Sequence, residues 1–268
     1  MILFPPAKIN LGLNILNKRK DGYHELNSVM TPIPLTDIIE IVPSENFTFE
    51  QSGILIPDES ENNLCVKAYR LFQEYYNIPP VNIHLKKIIP MGAGLGGGSS
   101  NAAYVLLGLN KIFNLNLPDN VLENMAAKLG SDCPFFIKNT TQLATGRGEI
   151  LKPINFNLNG YYIKLLNIGI HVGTKEAYSN VQFSEKIELD KIIKNTIHSW
   201  QEKVTNDFEK SIFLKHPELK KIKEKFYDEG ALFAAMSGSG STIFGIYKEK
   251  PESSLNDYSE AFEFIGKI

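Results

Sequence analysis

Among 268 residues the chain has two cysteines, one tryptophan and no excess of either charge. Cys65 and Cys133 stand alone, with no metal-ligand spacing around either, so a cysteine-built zinc or iron–sulfur site is excluded. A disulfide between them stays open on the sequence alone. Lys and Arg number 28 against 30 Asp and Glu, a net charge of −2. No global positive field therefore points to nucleic acid or an anionic membrane. No apolar run reaches the roughly 18 residues needed to span a bilayer. The opening Met1-Ile2-Leu3-Phe4-Pro5-Pro6 lacks a basic segment, and Lys8 and Asn10 interrupt its apolar stretch. A cleaved leader is not expected, and two cysteines without one fit a reducing, cytoplasmic setting. At 43% apolar and 22% charged residues the composition is that of an ordinary globular protein, of a length for one large or two small domains.

Glycine, by contrast, is concentrated. Pro90-Met91-Gly92-Ala93-Gly94-Leu95-Gly96-Gly97-Gly98-Ser99-Ser100-Asn101 places five glycines in seven residues, followed by two hydroxyls and a helix-like run. A glycine loop that enters a helix N-terminus offers unpaired N–H groups and the positive end of the helix dipole, which is an anion site and most naturally a phosphate site. The competing reading, a flexible linker, does not suit the ordered context around it. Gly92, Gly94 and Gly97 match G-x-G-x-x-G formally. The dinucleotide reading fails on context, because Pro90 separates the loop from its strand and no acidic residue closes a following strand. No Lys-Ser or Lys-Thr pair follows the glycines, so a P-loop is excluded too. The loop reads as a phosphate cradle without its own lysine, whose positive charge must come from elsewhere in the fold.

Along the chain, Ile9, Leu11, Leu13 and Ile15 alternate with Lys8, Asn10, Gly12 and Asn14, the period of a strand. Lys8 and Asn10 then share a face, about 6.5 Å apart. Lys18 to Gly22 is a charged turn ending in Asp-Gly, a hairpin signal. Residues 38–42 and 47–49 read as short strands and Asn63 to Tyr76 as a helix. Val81, Ile83 and Leu85 form a strand that delivers the chain to the glycine loop. A helix runs from Ser99, and another follows Asp119, its expected cap, until Gly130. Ser131-Asp132-Cys133-Pro134 resembles a further helix start. The Asn-rich, Pro-punctuated stretch 152–160 marks the expected boundary between domains 1–153 and 154–268. The second half predicts a strand at 161–168, helices near 186–199 and 216–228, strands at 231–236 and 242–248, and a last helix after Pro251. This is an α+β pattern with an antiparallel sheet. Ser237-Gly238-Ser239-Gly240-Ser241 is either a tight hairpin or a second anion-facing loop.

Three separated motifs now stand on one chain: Pro6-Ala7-Lys8-Ile9-Asn10-Leu11, the glycine–serine loop, and Ser237 to Ser241. Together they resemble the GHMP kinase superfamily. Within it, Asp21-Gly22-Tyr23-His24 and Gly130-Ser131-Asp132-Cys133-Pro134-Phe135-Phe136 make the chain most similar to the branch that phosphorylates a cytidine-diphosphate-linked methylerythritol. The resemblance implies an N-terminal domain like the second domain of ribosomal protein S5, a ferredoxin-like C-terminal domain and an active site in the cleft between them. It implies ATP and Mg²⁺ as cofactors and transfer of the γ-phosphoryl group to the 2-hydroxyl of a small-molecule acceptor.

By that resemblance Asp132 is the expected base and Lys8 its partner, stabilising the developing charge. Their plainer fates are a helix cap and a solvated strand face. Gly92 to Ser100 would wrap the triphosphate, with Ser99 and Ser100 as candidates for phosphate or Mg²⁺ contacts. Asn63, Leu64 and Lys87 would lie beside the adenine. Tyr23 and Tyr178 are candidate stacking faces for a cytosine, with core packing or surface decoration as the alternative. His24 is a candidate reader of the base edge, and Asn10 and Thr174 would hold diphosphate or polyol oxygens. Gly238 and Gly240 would bring N–H groups toward the acceptor. No carboxylate is assigned to the metal by sequence. The alternatives are a homoserine or mevalonate kinase, which would not need Tyr23 and His24, a diphosphomevalonate-type decarboxylase, and a non-catalytic nucleotide- or RNA-binding protein. The last should show clustered cations with exposed aromatics, whereas the basic runs here are short.

Overall fold

Alternation from Ile9 to Ile15 lies inside a strand of 13 residues that continues on both sides of that run, and the strand after it is equally long. The structure, a computed structural model, describes residues 1–56, 62–179 and 181–268, with the backbone alone at 174 and 175. The chain begins with strands β1 (Ile2–Leu3), β2 (Pro6–Lys18), β3 (His24–Thr36), β4 (Ile38–Pro43) and β5 (Thr48–Gly53). Helix α1 (Leu64–Tyr76), strand β6 (Val81–Lys87) and helices α2 (Gly97–Ile112), α3 (Asp119–Leu129) and α4 (Phe135–Lys138) follow. Then come β7 (Gln142–Gly146), β8 (Ile150–Pro153), β9 (Tyr162–Asn167), α5 (Thr174–Ser179), α6 (Leu189–Ile192), α7 (Asp207–Lys215) and α8 (Pro217–Asp228). The chain closes with β10 (Phe233–Met236), β11 (Ile243–Tyr247) and β12 (Phe262–Lys267). Two compact units interleave along the sequence. One comprises Met1–Ala7, Leu35–Met91 and Gly96–Thr140; the other comprises Lys8–Pro34, Gly92–Leu95 and Thr141–Ile268.

The first unit carries a sheet in the order β1-β4-β6-β5, antiparallel between β4 and β6 and parallel between β5 and β6. Period-two patterning decides its faces: Val81, Ile83 and Leu85 are buried, while Asn82, His84 and Lys86 are exposed. Helix α1 starts where Asn63 caps it, its side chain accepting from the Cys65 N–H at 2.9 Å. It ends at Asn77, held in the left-handed conformation at φ 44°. Helix α2 is buried on most of its surface, with Ala102, Ala103, Val105, Leu106 and Leu109 enclosed. The expected cap of α3 moves by one residue. Pro118 occupies the cap position and Asp119 is the first helical residue, where its charge still complements the dipole.

In the second unit β2-β3-β7-β8 form one sheet and β10-β11-β9-β12 an antiparallel second one. The predicted hairpin joins β2 to β3, closed by the Arg19 N–H on the Tyr23 carbonyl at 2.7 Å with Gly22 at φ 87°. Leu13, Ile15, Phe208, Ile212, Ile222, Phe226, Met236 and Ile243 form a shared core.

Three expectations for the second half need correction. The helix expected near 186–199 is only α6 and a 3₁₀ turn over Ile197–Trp200, because Asn195 and Thr196 interrupt it with local bonds, such as Ser199 Oγ to the Thr196 carbonyl. Helix α7 lies in a stretch given no element. No helix follows Pro251. Phe262 and Phe264 instead set a strand period, and β12 pairs with β9, while Glu263 accepts from the Ser253 hydroxyl and the Ser254 N–H. Among the described residues no helix is long and apolar enough to cross a membrane.

Candidate active site

The glycine loop runs from β6 into α2. Gly92, Gly94 and Gly96 all adopt positive φ, at 59°, 77° and 69°. Gly94 shows why no other residue serves: a Cβ there would fall 1.9 Å from the Ser237 carbonyl oxygen. Helix α2 has Gly96 at its cap and no side-chain cap bond, and its first backbone bond is Ser100 N–H to the Gly96 carbonyl at 2.9 Å. The N–H groups of Gly97, Gly98 and Ser99 therefore precede the intrahelical ladder, the arrangement that attracts an anion. The Ser100 hydroxyl is fully buried and has no hydrogen-bond partner among the described residues.

Within the second unit, three distant motifs meet on one backbone atom. Lys8, only 4% exposed, donates from Nζ to the Gly94 carbonyl at 2.9 Å and to Asn10 Oδ1 at 2.6 Å. Ser237 Oγ donates to the same Gly94 carbonyl at 2.9 Å. Asn10 Nδ2 in turn donates to Ser28 Oγ at 2.8 Å, and Ser28 donates to the Gly12 carbonyl at 2.7 Å. The solvated strand face is thus the wrong description of Lys8. A Cβ on Gly238 would lie 3.2 Å from the Gly94 oxygen, so the Ser237–Ser241 segment is at once the β10–β11 hairpin and a neighbour of the glycine loop. Gly240 is likewise left-handed, at φ 94°.

In the first unit Lys87 is buried and paired with Asp37. Asp37 also accepts from the Ile88 N–H at 2.6 Å, the Ile89 N–H at 2.8 Å and Asn101 Nδ2 at 2.9 Å. Burial holds the Lys87 ammonium below the usual lysine range, against the attraction of Asp37. A Cβ on Gly97 would fall 2.8 Å from Lys87 Nζ, so this cation lies at the start of α2. Leu64 borders the same turn, 3.6 Å from where a Gly98 Cβ would be. Asn63 is spent on its cap.

Asp132 is half-exposed in the turn before α4, whose cap position is Pro134 without a side-chain bond, so Asp132 does not cap that helix. Next to it Cys133 is buried; burial pushes its thiol up to about 11, with Ser99 as a hydrogen-bond partner. Both cysteines are free.

Tyr23 and His24 stand at the end of the β2–β3 hairpin, in the second unit. His24 stacks on Tyr178, centroids 4.6 Å apart, and Tyr178 packs its edge on Phe208 at 4.8 Å. Burial, then the charge of Lys18, hold the His24 imidazole below the ordinary histidine value. Tyr23 is 55% exposed and has Arg147 over its ring at 4.7 Å. Phe183, 56% exposed, lies 6.1 Å from His24. The side chain of Thr174 lies outside the described residues. Asp37, Ser28, Arg147 and Phe183 were not singled out by sequence. Only Phe183, an aromatic shortly after Tyr178, carried even a weak local signal.

The family matches give the class, a small-molecule kinase. Residues 63–139 match the GHMP kinases N terminal domain and residues 189–263 the GHMP kinases C terminal domain. A mevalonate kinase from Methanococcus jannaschii shares the fold at a TM-score of 0.74, with 18% identity over 100% of this chain and 98% of that one. A relative from Cytophaga hutchinsonii, a 4-diphosphocytidyl-2-C-methyl-D-erythritol kinase, is 49% identical over 94% of each chain. A crystal structure of 4-(cytidine 5'-diphospho)-2C-methyl-D-erythritol kinase matches at a TM-score of 0.85 and 32% identity, covering 99% of this chain and 98% of that one. The chain belongs to the 4-diphosphocytidyl-2-C-methyl-D-erythritol kinase family of the GHMP kinases.

Proposed function

We propose that this chain transfers the γ-phosphoryl group of ATP to the 2-hydroxyl of 4-diphosphocytidyl-2-C-methyl-D-erythritol, a step of non-mevalonate isoprenoid precursor synthesis in the cytoplasm. The observation that carries the reading is the Gly94 carbonyl held by both Lys8 and Ser237. A trans peptide that turns its oxygen to these donors turns the following N–H the other way, toward an anion. Phosphoryl transfer needs this kind of fixed donor set, because its catalysis is chiefly positioning and charge stabilisation.

In this reading the loop from Pro90 to Ser100 wraps the triphosphate and Asn63, Leu64 and Lys87 border the adenosine. Asp132 takes the proton from the acceptor hydroxyl, and Lys8 stabilises the charge that develops. Mg²⁺ arrives with ATP. The Ser100 hydroxyl at the start of α2, buried and without a hydrogen-bond partner among the described residues, is the group this reading offers it. A neutral imidazole keeps a ring nitrogen free to accept as well as one N–H to donate, so it can meet either the N4 donor or the N3 acceptor of cytosine. The lowered His24 supplies that neutral ring, and Tyr178 backs it. Tyr23 stacks on the base, while Asn10, Thr174, Gly238 and Gly240 hold the rest of the acceptor.

The test is phosphorus NMR of the protein with Mg-ATP and the diphosphocytidyl acceptor. A new monoester resonance, absent with mevalonate or homoserine, is expected. Transfer only to another alcohol would discard the cytosine assignment. Asp132→Asn is expected to lose transfer while ATP still binds, and near-normal turnover would remove Asp132 from the mechanism.

A further inference from the structure

Tyr23 poses a physical problem. It sits on a hairpin tip with more than half its surface in solvent, where a ring ordinarily samples several rotamers, and ordering it on binding costs affinity. Three contacts oppose that freedom. The Tyr23 N–H donates to Asp21 Oδ1 at 3.1 Å, which fixes the backbone. Arg147 lies over the ring with its guanidinium carbon 4.7 Å from the centroid. Arg147 itself is steadied by Glu149, with Nε 3.6 Å from Oε1. The turn that carries Arg147 is tied to the strand after Tyr23: Gly146 pairs with Leu26 in the β3–β7 register, and its N–H donates to Glu25 Oε1 at 3.1 Å. Glu25 also pairs with Arg19 at 2.6 Å, so both turns belong to one charged network.

We infer that Arg147 is a positioning residue for the acceptor, and rest this on the reading of Tyr23 as a stacking face. The guanidinium occupies one face of the Tyr23 ring and leaves the other to be presented, pre-ordered, to a flat aromatic base. Arg147 thereby sets affinity for the base-bearing substrate and has no part in holding ATP. A cation on one face of a tyrosine and a base on the other is a favourable order, because the ring face is negative toward the cation.

The experiment measures KM for both substrates and kcat in Arg147→Gln, Arg147→Lys, Tyr23→Ala and the Tyr23→Ala/Arg147→Gln double variant. Arg147→Gln is expected to raise the acceptor KM roughly two- to five-fold, the range an exposed cation–π contact supports, with ATP KM and kcat unchanged. Arg147→Lys keeps a cation and should recover part of the loss. The double variant should match Tyr23→Ala alone, since Arg147 acts only through that ring. An unchanged acceptor KM in Arg147→Gln, with Tyr23→Ala impaired, overturns the inference and leaves the acceptor reading standing. Additive losses also overturn it, by showing that Arg147 meets the acceptor directly. No effect of Tyr23→Ala on the acceptor KM removes the stacking reading itself, and the inference with it.

Discussion

Asp37→Asn tests whether the buried pair of Asp37 and Lys87 is held by charge or by shape. Asp37 is 0% exposed and collects four donors, one of them the ammonium of Lys87. Asparagine keeps the size and one oxygen for the Ile88 and Ile89 N–H groups. It presents no negative charge to Lys87, whose side chain is 1% exposed. Removing one partner of a buried pair leaves an uncompensated charge and costs about 3–5 kcal/mol. With an m-value of about 2–3 kcal/mol per molar urea, the unfolding midpoint should fall by roughly 1–2 M. The loss should also depend on pH. Burial already holds Lys87 below its unfolded value of 10.5, so between the two values the unfolded chain binds more protons and stability rises with pH. Without Asp37 to attract the proton, the folded value falls further and this window widens downward. The deficit of the variant should therefore shrink between pH 7 and pH 9.5. Urea titrations followed by circular dichroism at both values read the effect. Adding Lys87→Met to Asp37→Asn removes the stranded charge and should restore most of the lost midpoint. A midpoint change under about 0.3 M at pH 7, or no recovery in the double variant, would refute the charge argument.

Other perturbations follow from single contacts. Gly94→Ala combines a left-handed φ of 77° with a Cβ 1.9 Å from the Ser237 oxygen, so it should raise the ATP KM by roughly ten-fold or more; an ATP KM within two-fold of the parent would sink the cradle geometry. His24 sits below its ordinary value of 6.5, so the acceptor KM should stay flat as pH falls from 7.5 to 6.5 and rise only below; a rise that begins above 6.5 contradicts a neutral reader. Because its folded value is depressed, any stability His24 confers is likewise lost only as pH drops below 6.5. Burial pushes the Cys65 thiol up to about 12 and Cys133 up to about 11, so iodoacetamide at pH 8 should label neither in the native protein and both in urea, as read by mass spectrometry.

Legibility in the sequence followed the range of the interaction. Strand β2 and strand β6 were visible because period two is a local signal, and α1 because Asn63 and the apolar spacing after it act within two turns. The helix expected after Pro251 failed for the opposite reason. What fixes that segment is Glu263 and the pairing of β12 with β9, about a hundred residues upstream, and neither leaves a mark on the local pattern. The site divides in the same way. Its three motifs were each legible, but their meeting point is a carbonyl oxygen of Gly94, and a backbone atom has no side-chain signature.

The charge balance of the loop shows what that hidden geometry decides. A glycine cradle without its own lysine needs positive charge from elsewhere, and each unit places one lysine at its own part of the loop, Lys8 on the Gly94 carbonyl and Lys87 by Gly97. Lys87 lies by Gly97 but is matched by Asp37 inside the same buried cluster, so it contributes order more than field. Lys8 donates to the Gly94 carbonyl of the loop and to Asn10 Oδ1. In the proposed reading, a cation bonded to the loop backbone is placed to stabilise the charge that develops on the transferred phosphoryl group. The two lysines should part in experiment: Lys8→Met is expected to lower kcat with the ATP KM near that of the parent, and Lys87→Met to alter stability and ATP KM while leaving kcat near that of the parent.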